Sequence, residues 1–504
     1  MKRTWVDLLL ILAVGTVMFA HVSTAYFCGY DDFGEMYRAA FEDAQQPSLI
    51  FTTTHFGTTK YRPLNRLATY LCWRMGDGSP LPFRLRNLLF HLLCSLMVYG
   101  LALVLTRERS VALASGLLFC LDPVANQNVV AAIFTNTAAN ACLLGGLLLF
   151  AVWMRSKRRY LLASAILLIF VGMFFYEPVI VAFPIMAALL LLEKLRGRVL
   201  NRSSLWHWAA GSSLAVLLFA WIRHSVVRGK SPLVPVGMML HNAMVYSIGL
   251  LSPVDAVSSH QFFGTPLPPV LHIKFGTGFF VALSLAAMFV VLLVLYLRRP
   301  AVRESVRKID APFVLLLAAL IPVALSPFLV FTPHASETYL YLPAAIYAIL
   351  LTYLLWRLIP WRSAYWAVVC VLLVSFSVGT WIRNQRVFAC GQAAHNILTS
   401  LPITKWHTGD WSIHLFSAPG QDPPPRYGIY NYRGIATIGP ADPNTGHGAQ
   451  HALQLATRNP ALKADVDVRE PMPSCILPET CFEVFLDGSV RAVARPDQGP
   501  MRVN

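Results

Sequence analysis

Motifs for handling nucleotides and catalytic zinc are missing from this chain. There is no G-x-x-x-x-G-K-[ST] phosphate loop, no G-x-G-x-x-G behind a strand and no H-E-x-x-H helix. Those absences argue against an ATP-driven pump and against a zinc protease. Nine cysteines are present, none at metal-ligand spacing. Cys72, Cys94, Cys120, Cys142 and Cys370 lie in or beside apolar runs, where cysteine is a small hydrophobe. Repeats of fixed period are lacking too. Charge is scarce: Asp, Glu, Lys and Arg make up 13% of the 504 residues, and 56% are hydrophobic. At a mean hydropathy of +0.55, a soluble enzyme has no way to hide so much apolar surface.

Apolar runs of about 18 residues or more recur along the chain. They read as an α-helical polytopic membrane protein with about 11 transmembrane helices. Candidate spans are 6–26, 87–106, 110–121, 137–154, 160–175, 178–192, 205–222, 275–297, 312–331, 339–356 and 364–382. Residues 1–3, basic and ahead of an apolar run, fit a signal-peptide start, with Ser23 and Ala25 as small residues near a cut. That first run is long and many spans follow it, so it reads as a retained helix. A net charge of +16 in a soluble protein would point to nucleic acid. Here the cations alternate with the spans instead. One set of loops carries Lys2 and Arg3; Arg107 and Arg109; Arg155, Lys157, Arg158 and Arg159; Lys194, Arg196, Arg198 and Arg202; Arg298, Arg299, Arg303, Arg307 and Lys308; Arg357 and Arg362. The positive-inside bias makes that set cytoplasmic, with the N-terminus, and places the tail on the outer face. No nucleic-acid partner is expected.

The first outer segment, 27–86, is too long for a plain connector. Helices are expected over 33–43 and over 62–75, the second with Leu64, Leu67, Leu71 and Met75 on one face, as in a helix lying in the interface. An apolar piece at 238–251 reads as a helix dipping into the interface, since a full span there would break the charge alternation. From about 383 the composition changes to prolines, glycines and alternating runs. This reads as a small C-terminal soluble α/β domain, 383–504, following a membrane domain, 1–382. Asp487-Gly488 is its hairpin signal, and Cys475 with Cys481 suit a disulfide in an oxidising compartment.

Asp31, Asp32 and Glu35 follow directly on the first span. Acids against a bilayer surface are costly unless something uses them. Asp32 also suits an N-cap for a helix over 33–43, with Glu35 at the third position. Other outer edges carry polar groups as well: Asn87 and His91, which share a helix face; Asn126 to Asn128; Asn136 and Asn140; Glu177; His334 and Glu337. Glu177 before Pro178 also fits a plain turn marker, and Asn87 with His91 also fits helix-to-helix hydrogen bonding. Convergence on one membrane face is what points to a cavity. With Arg62, Arg66, Arg84 and Arg86 near headgroup depth, it suits an anionic lipid and a hydroxyl-rich molecule.

Several segments carry a family likeness. They are Tyr30-Asp31-Asp32, Tyr61-Arg62-Pro63-Leu64, Asn87-x-x-x-His91, the Asp122-Pro123 turn, Tyr176-Glu177, and Glu337-Thr338-Tyr339-Leu340-Tyr341-Leu342-Pro343. In these the chain resembles the GT-C superfamily of polyprenyl-phosphate-sugar-dependent glycosyltransferases. Within it, the chain looks most like the transmembrane O-mannosyltransferases with tetratricopeptide repeats and their bacterial relatives, although it has no such repeats. The resemblance implies transfer of a sugar from a lipid-phosphate donor to an acceptor at the outer face. It implies Asp31 as general base, Asp32 as the close alternative and Glu35 in support. Thr338 stands where the family usually has Arg, so other cations are expected at the donor phosphate: Arg62 first, then Arg84, Arg86, Arg223 and Lys230. Asn87, His91, Glu177, His334, Glu337, Tyr339 and Tyr341 are expected to line the cavity. The resemblance fixes no cofactor, since some relatives use a divalent metal and others do not, and an Asp-Asp pair with Glu is compatible with Mg²⁺ or Mn²⁺.

The reading from sequence is therefore an integral membrane glycosyltransferase of a bacterial inner membrane with a periplasmic active site. Its partners are a polyprenyl-phosphate-sugar donor, a glycan, lipid or protein acceptor, and membrane lipids. A lipid-linked sugar flippase or transporter is the alternative, as is a non-catalytic partner in envelope polysaccharide assembly. A flippase is expected to line both bilayer halves with polar groups, whereas the inner halves here look mainly apolar.

Overall fold

The computed structural model describes the chain except residues 1, 55–59, 134, 198–201, 228, 230–232, 252–299, 333–335, 410, 418–433, 439–447, 468–480 and 494–504, and except a few side chains, that of Asp31 among them. The candidate span at 275–297 lies outside the described residues, as do His334, Lys230 and Cys475. Helix α1 (Lys2–Ala20) leads into the first outer segment. That segment folds as α2 (Tyr30–Tyr37), which continues as a π-helical turn over Arg38–Asp43, then α3 (Leu49–Thr52) and α4 (Pro63–Gly76). The bundle follows with α5 (Leu81–Thr106), α6 (Arg109–Leu121), the short α7 (Asn126–Val130), α8 (Asn136–Ser156), α9 (Arg159–Phe175), α10 (Ala182–Leu195), α11 (Arg202–Val226) and α12 (Val236–Leu251). After the gap come α13 (Pro300–Arg307), α14 (Ala311–Phe331), α15 (Tyr341–Leu358) and α16 (Arg362–Ser400).

Eight helical segments among the described residues are long and apolar enough to cross a membrane, with α6 and α9 as shorter apolar helices. Their outward faces stay apolar: Leu214, Leu217 and Trp221 of α11 are exposed, as suits lipid contact. The chain is an α-helical polytopic membrane protein. Local chemistry sets the helix ends. Asp310 Oδ1 accepts from the Phe313 amide at 3.1 Å to start α14, and Arg107 and Lys157 close α5 and α8 in the left-handed region.

Ion pairs sort the loops onto two rims. Arg109 grips Asp7 with two 2.6 Å bonds, Arg196 donates to Asp310 at 2.9 and 2.5 Å, and Arg357 lies 4.0 Å from Glu108. These belong to the rim where α1 begins, here called the N-terminal rim, and they join the segments dense in basic residues. The first outer segment, Glu177, Glu337 and the tail gather at the opposite, tail rim.

Helix α16 runs unbroken through residue 383, crosses the bundle and enters the tail. A Cβ at Gly391 would lie 2.6 Å from the Tyr26 carbonyl oxygen, so only glycine lets this helix press on the chain leaving α1. The tail adds α17 (Gly448–Thr457) and a four-stranded sheet, in spatial order β2 (Lys463–Asp467), β1 (Ser412–Ser417), β3 (Cys481–Val484), β4 (Val490–Ala492). β1 is parallel to β2 and β3, while β3 and β4 form the antiparallel hairpin expected at Asp487-Gly488. Gly488 takes φ 86°, the positive value that turn needs. Cys481 is disulfide-bonded. The tail shares one core with the first outer segment: Phe27, Phe33, Met36 and Phe83 pack with Ile397, Trp406, Leu453 and Phe482.

Candidate active site at the tail rim

Gly29, at φ 95°, turns the chain leaving α1 and starts α2 one residue later. Asp32 therefore sits inside the first turn and does not cap a helix beginning at Phe33. It reaches back and across: Oδ2 accepts from the Cys28 amide at 3.2 Å and Oδ1 from the Ile133 amide at 3.4 Å. Asp32 is buried, as is Glu35, whose carboxylate lies 4.0 Å from Arg38 Nη1. The Asp31 side chain falls outside the described residues.

Cations at the start of α5 converge on the same place. Arg86 donates to the Ala132 carbonyl at 2.7 Å and to Asn87 Oδ1 at 3.0 Å, and the Asn87 amide donates to the Ala131 carbonyl at 2.6 Å. The stretch 131–133 is thus held from three sides, by Asn87, Arg86 and Asp32. Arg84 donates through Nη2 to the Tyr26 carbonyl at 2.9 Å, close to the Cys28 amide that Asp32 holds. Its Nε and Nη1 are buried and have no hydrogen-bond partner. Burying guanidinium donors unpaired is costly, and this is the least satisfied cation of the cluster. Burial pushes the nearby Cys72 thiol up, against the pull of Arg86.

Arg62 and Glu177 form a second group. Arg62 Nε donates to Glu177 Oε2 at 2.7 Å, the Tyr61 amide donates to Oε1 at 2.8 Å, and the guanidinium lies 4.4 Å from the Tyr176 ring centre. Glu177 is thereby the acceptor that fixes the Tyr61-Arg62 corner, 115 positions away in sequence from Arg62. Arg66 belongs elsewhere, bonded to Asp43 at 2.9 Å beneath the first outer segment.

The third group lies deeper. Arg383 holds Glu337 with bonds of 3.0 and 3.1 Å, both side chains being 2% exposed, and also donates to the Pro123 carbonyl. His91 is fully buried, with Nδ1 2.7 Å from the Tyr341 hydroxyl and Nε2 3.0 Å from the Cys120 carbonyl. Asn126 donates to Asn384 at 2.7 Å, Asn136 to Asn128 at 2.9 Å, and Asn128 to the Thr338 carbonyl at 3.1 Å. Tyr339 stacks on Phe328 at 4.3 Å. These amides brace helices against one another. Asp122, just past α6, is buried, and its carboxyl is pushed up to about 6 by that burial, against the Val124 amide and Arg383.

Sequence reasoning singled out Asp32, Arg84, Arg86 and Asn87 separately, and the fold brings them together. It missed Arg383 and passed over Asp122 as a turn. A cation at the end of an apolar run was the signal for Arg383. Among the described residues no three His, Cys, Asp or Glu side chains are grouped so as to hold a metal ion.

No protein-family model and no curated protein matches the chain. Among solved structures it is similar to ArnT from Cupriavidus metallidurans in the apo state, with 15% identity and a TM-score of 0.44, covering 92% of this chain and 86% of that one. The same protein bound to undecaprenyl phosphate gives 14% and 0.42 over the same shares. The arabinofuranosyltransferase AftD from Mycobacteria gives 15% and 0.43, over 94% of this chain and 32% of that one. At such identities and scores these likenesses carry no argument about activity.

Proposed function

We propose that this protein is a membrane glycosyltransferase of the GT-C type. It moves a sugar from a polyprenyl-phosphate donor to an acceptor hydroxyl at the tail rim, which the loop charges make the periplasmic face of a bacterial inner membrane. One observation carries the reading. A buried carboxylate, Asp32, and a buried guanidinium with two unpartnered nitrogens, Arg84, grip the same short stretch, 26–28, at the foot of the first outer segment. A phosphate oxygen is the acceptor Arg84 lacks. An acid beside it is what a base-assisted transfer to a hydroxyl needs.

The acceptor oxygen attacks the anomeric carbon while Asp31 or Asp32 takes its proton. The bond from that carbon to the phosphate oxygen breaks, and the lipid phosphate leaves with the electron pair. Arg84, with Arg62 in support, meets the charge that develops there. The flippase alternative finds less support, since Asp7 and Asp310 at the N-terminal rim are spent on ion pairs with Arg109 and Arg196.

Asp31→Asn and Asp32→Asn should each be made in the full chain and assayed with a polyprenyl-phosphate sugar. The variant that removes the base should lose about a hundred- to ten-thousand-fold in rate while still binding donor lipid. Near-normal transfer by both variants would end this assignment. A reporter fused after Asn504 that is active only in the cytoplasm would reverse the face.

A further inference from the structure

A cavity of about 550 Å³ lies between the first outer segment and the tail, and neither Asp32 nor Arg84 lines it. Tyr37, Arg38 and Glu42 line it from one side, Thr53, Thr54 and Arg66 from another, and His451 of α17 from the tail. The volume falls within the range of about 300–1,000 Å³ usual for small-molecule sites. We propose that this cavity is a saccharide site whose wall the tail completes, and that it seats the glycan portion of the acceptor. The second part rests on the transfer reading above; the first does not.

Charge balance argues for a neutral polyol over an anion. Arg38 and Arg66 face the three carboxylates Glu35, Glu42 and Asp43: Arg38 lies 4.0 Å from Glu35 and donates to Glu42 at 3.4 Å, and Arg66 lies 2.5 Å from Asp43 and 3.3 Å from Glu42. The two guanidinium groups are more than matched, so a phosphate or carboxylate ligand meets net negative charge. Ion pairing also holds each polar head in place, so hydrogen bonds to hydroxyls form with little further ordering. Glu42 remains open, with 44% of its side chain exposed against 6% for each arginine. It offers an acceptor to sugar hydroxyls, and Thr54 offers a hydroxyl that both donates and accepts, whereas the Thr53 hydroxyl already donates to the Leu49 carbonyl and accepts from Arg66.

The aromatic part of the wall is built across two regions of the chain. Tyr37 and His451 stack at 4.4 Å with their planes 23° apart. A flat ring beside polar groups suits a pyranose, which has one apolar C–H face and hydroxyls at its edge. This also gives the tail a role: without α17 the ring pair and one wall are absent.

Saturation-transfer NMR on the detergent-solubilised full chain tests the proposal, with methyl α-mannoside, lactose and maltotriose as neutral probes and inorganic phosphate as the anion. At least one sugar should receive saturation. Tyr37→Ala and His451→Ala should each weaken its binding about tenfold, with Thr54→Val as a milder check should either fold poorly. Asp7→Asn, at the opposite rim, should bind it as the unaltered chain does. Saturation of no sugar, equal saturation in all variants, or binding of phosphate alone would overturn the site. Sugar binding by a chain that never transfers would leave the site standing and remove the transferase reading. Transfer by Tyr37→Ala with an unchanged acceptor KM would remove the acceptor role and leave the transferase reading intact.

Discussion

The two rims of the bundle hold their charges differently. At the N-terminal rim, Asp7 and Arg109 meet through two short bonds, and Arg196 and Asp310 do the same. Each is a closed pair that ties one helix to another. At the tail rim, Asp32 is held by main-chain amides, Arg84 keeps two donors unsatisfied, and Asp122 has one amide partner and a raised pKa. Stability favours the first arrangement and chemistry the second, because a group with unspent donors, as Arg84 is, has capacity left for a substrate. Exceptions at the tail rim are Arg62 with Glu177, Arg66 with Asp43 and, with both side chains 2% exposed, Arg383 with Glu337, a pair as closed as any opposite it.

That last pair gives the largest expected effect on stability. Glu337→Gln leaves Arg383 buried without its carboxylate and should cost about 3 kcal/mol or more, seen as a lowered unfolding temperature in detergent. An unchanged temperature would mean that the pair does not hold α15 to α16. Asp122 should act with the opposite sign. Its carboxyl is raised from 3.8 to about 6 in the fold, so the folded chain binds that proton more tightly than the unfolded one. The stability this brings is complete below about pH 4 and is lost as pH rises through about 6. Asp122→Asn should flatten that part of the profile and gain up to about 3 kcal/mol at neutral pH. A profile with the same slope in both proteins would show that Asp122 is not the group responsible.

Arg84→Met separates the two rims most directly. Relief of the two unpaired buried nitrogens should offset the lost bond to the Tyr26 carbonyl and leave the unfolding temperature about unchanged, while the donor KM rises about ten- to hundredfold. A destabilised variant with normal donor KM would put Arg84 among the structural cations. The smallest effect is expected for Asp7→Asn. Arg109 is 43% exposed and can turn to water, so the unfolding temperature should fall only slightly, with transfer intact. A large loss of transfer would show that the closed rim is part of the mechanism.

The spans were legible because a bilayer demands about 20 apolar residues at a stretch, and loop charges sorted their ends. Ten of the candidate spans match helices of the structure, and the one at 275–297 lies outside the described residues. The partners of polar groups were not legible. Glu177 closes on Arg62 across 115 positions, and Asn384 on the Met18 carbonyl across 366. Such distances leave no periodicity for a single sequence to show. The start of α2 was hidden for a different reason: Gly29 sets it through a positive φ, while Asp32 has the chemistry of a cap and serves as a clamp.

The core shared by the first outer segment and the tail also bears on the order of synthesis. Phe27, Phe33 and Phe83 leave the ribosome more than 300 positions ahead of Trp406, Leu453 and Phe482. Arg458 reaches Asp77 across 381 positions. The first outer segment must therefore wait, with its apolar face uncovered, until the last helix has crossed the bilayer and drawn the tail after it. In a pulse-labelled cell, that segment should resist protease only after the tail residues of the shared core have been translated.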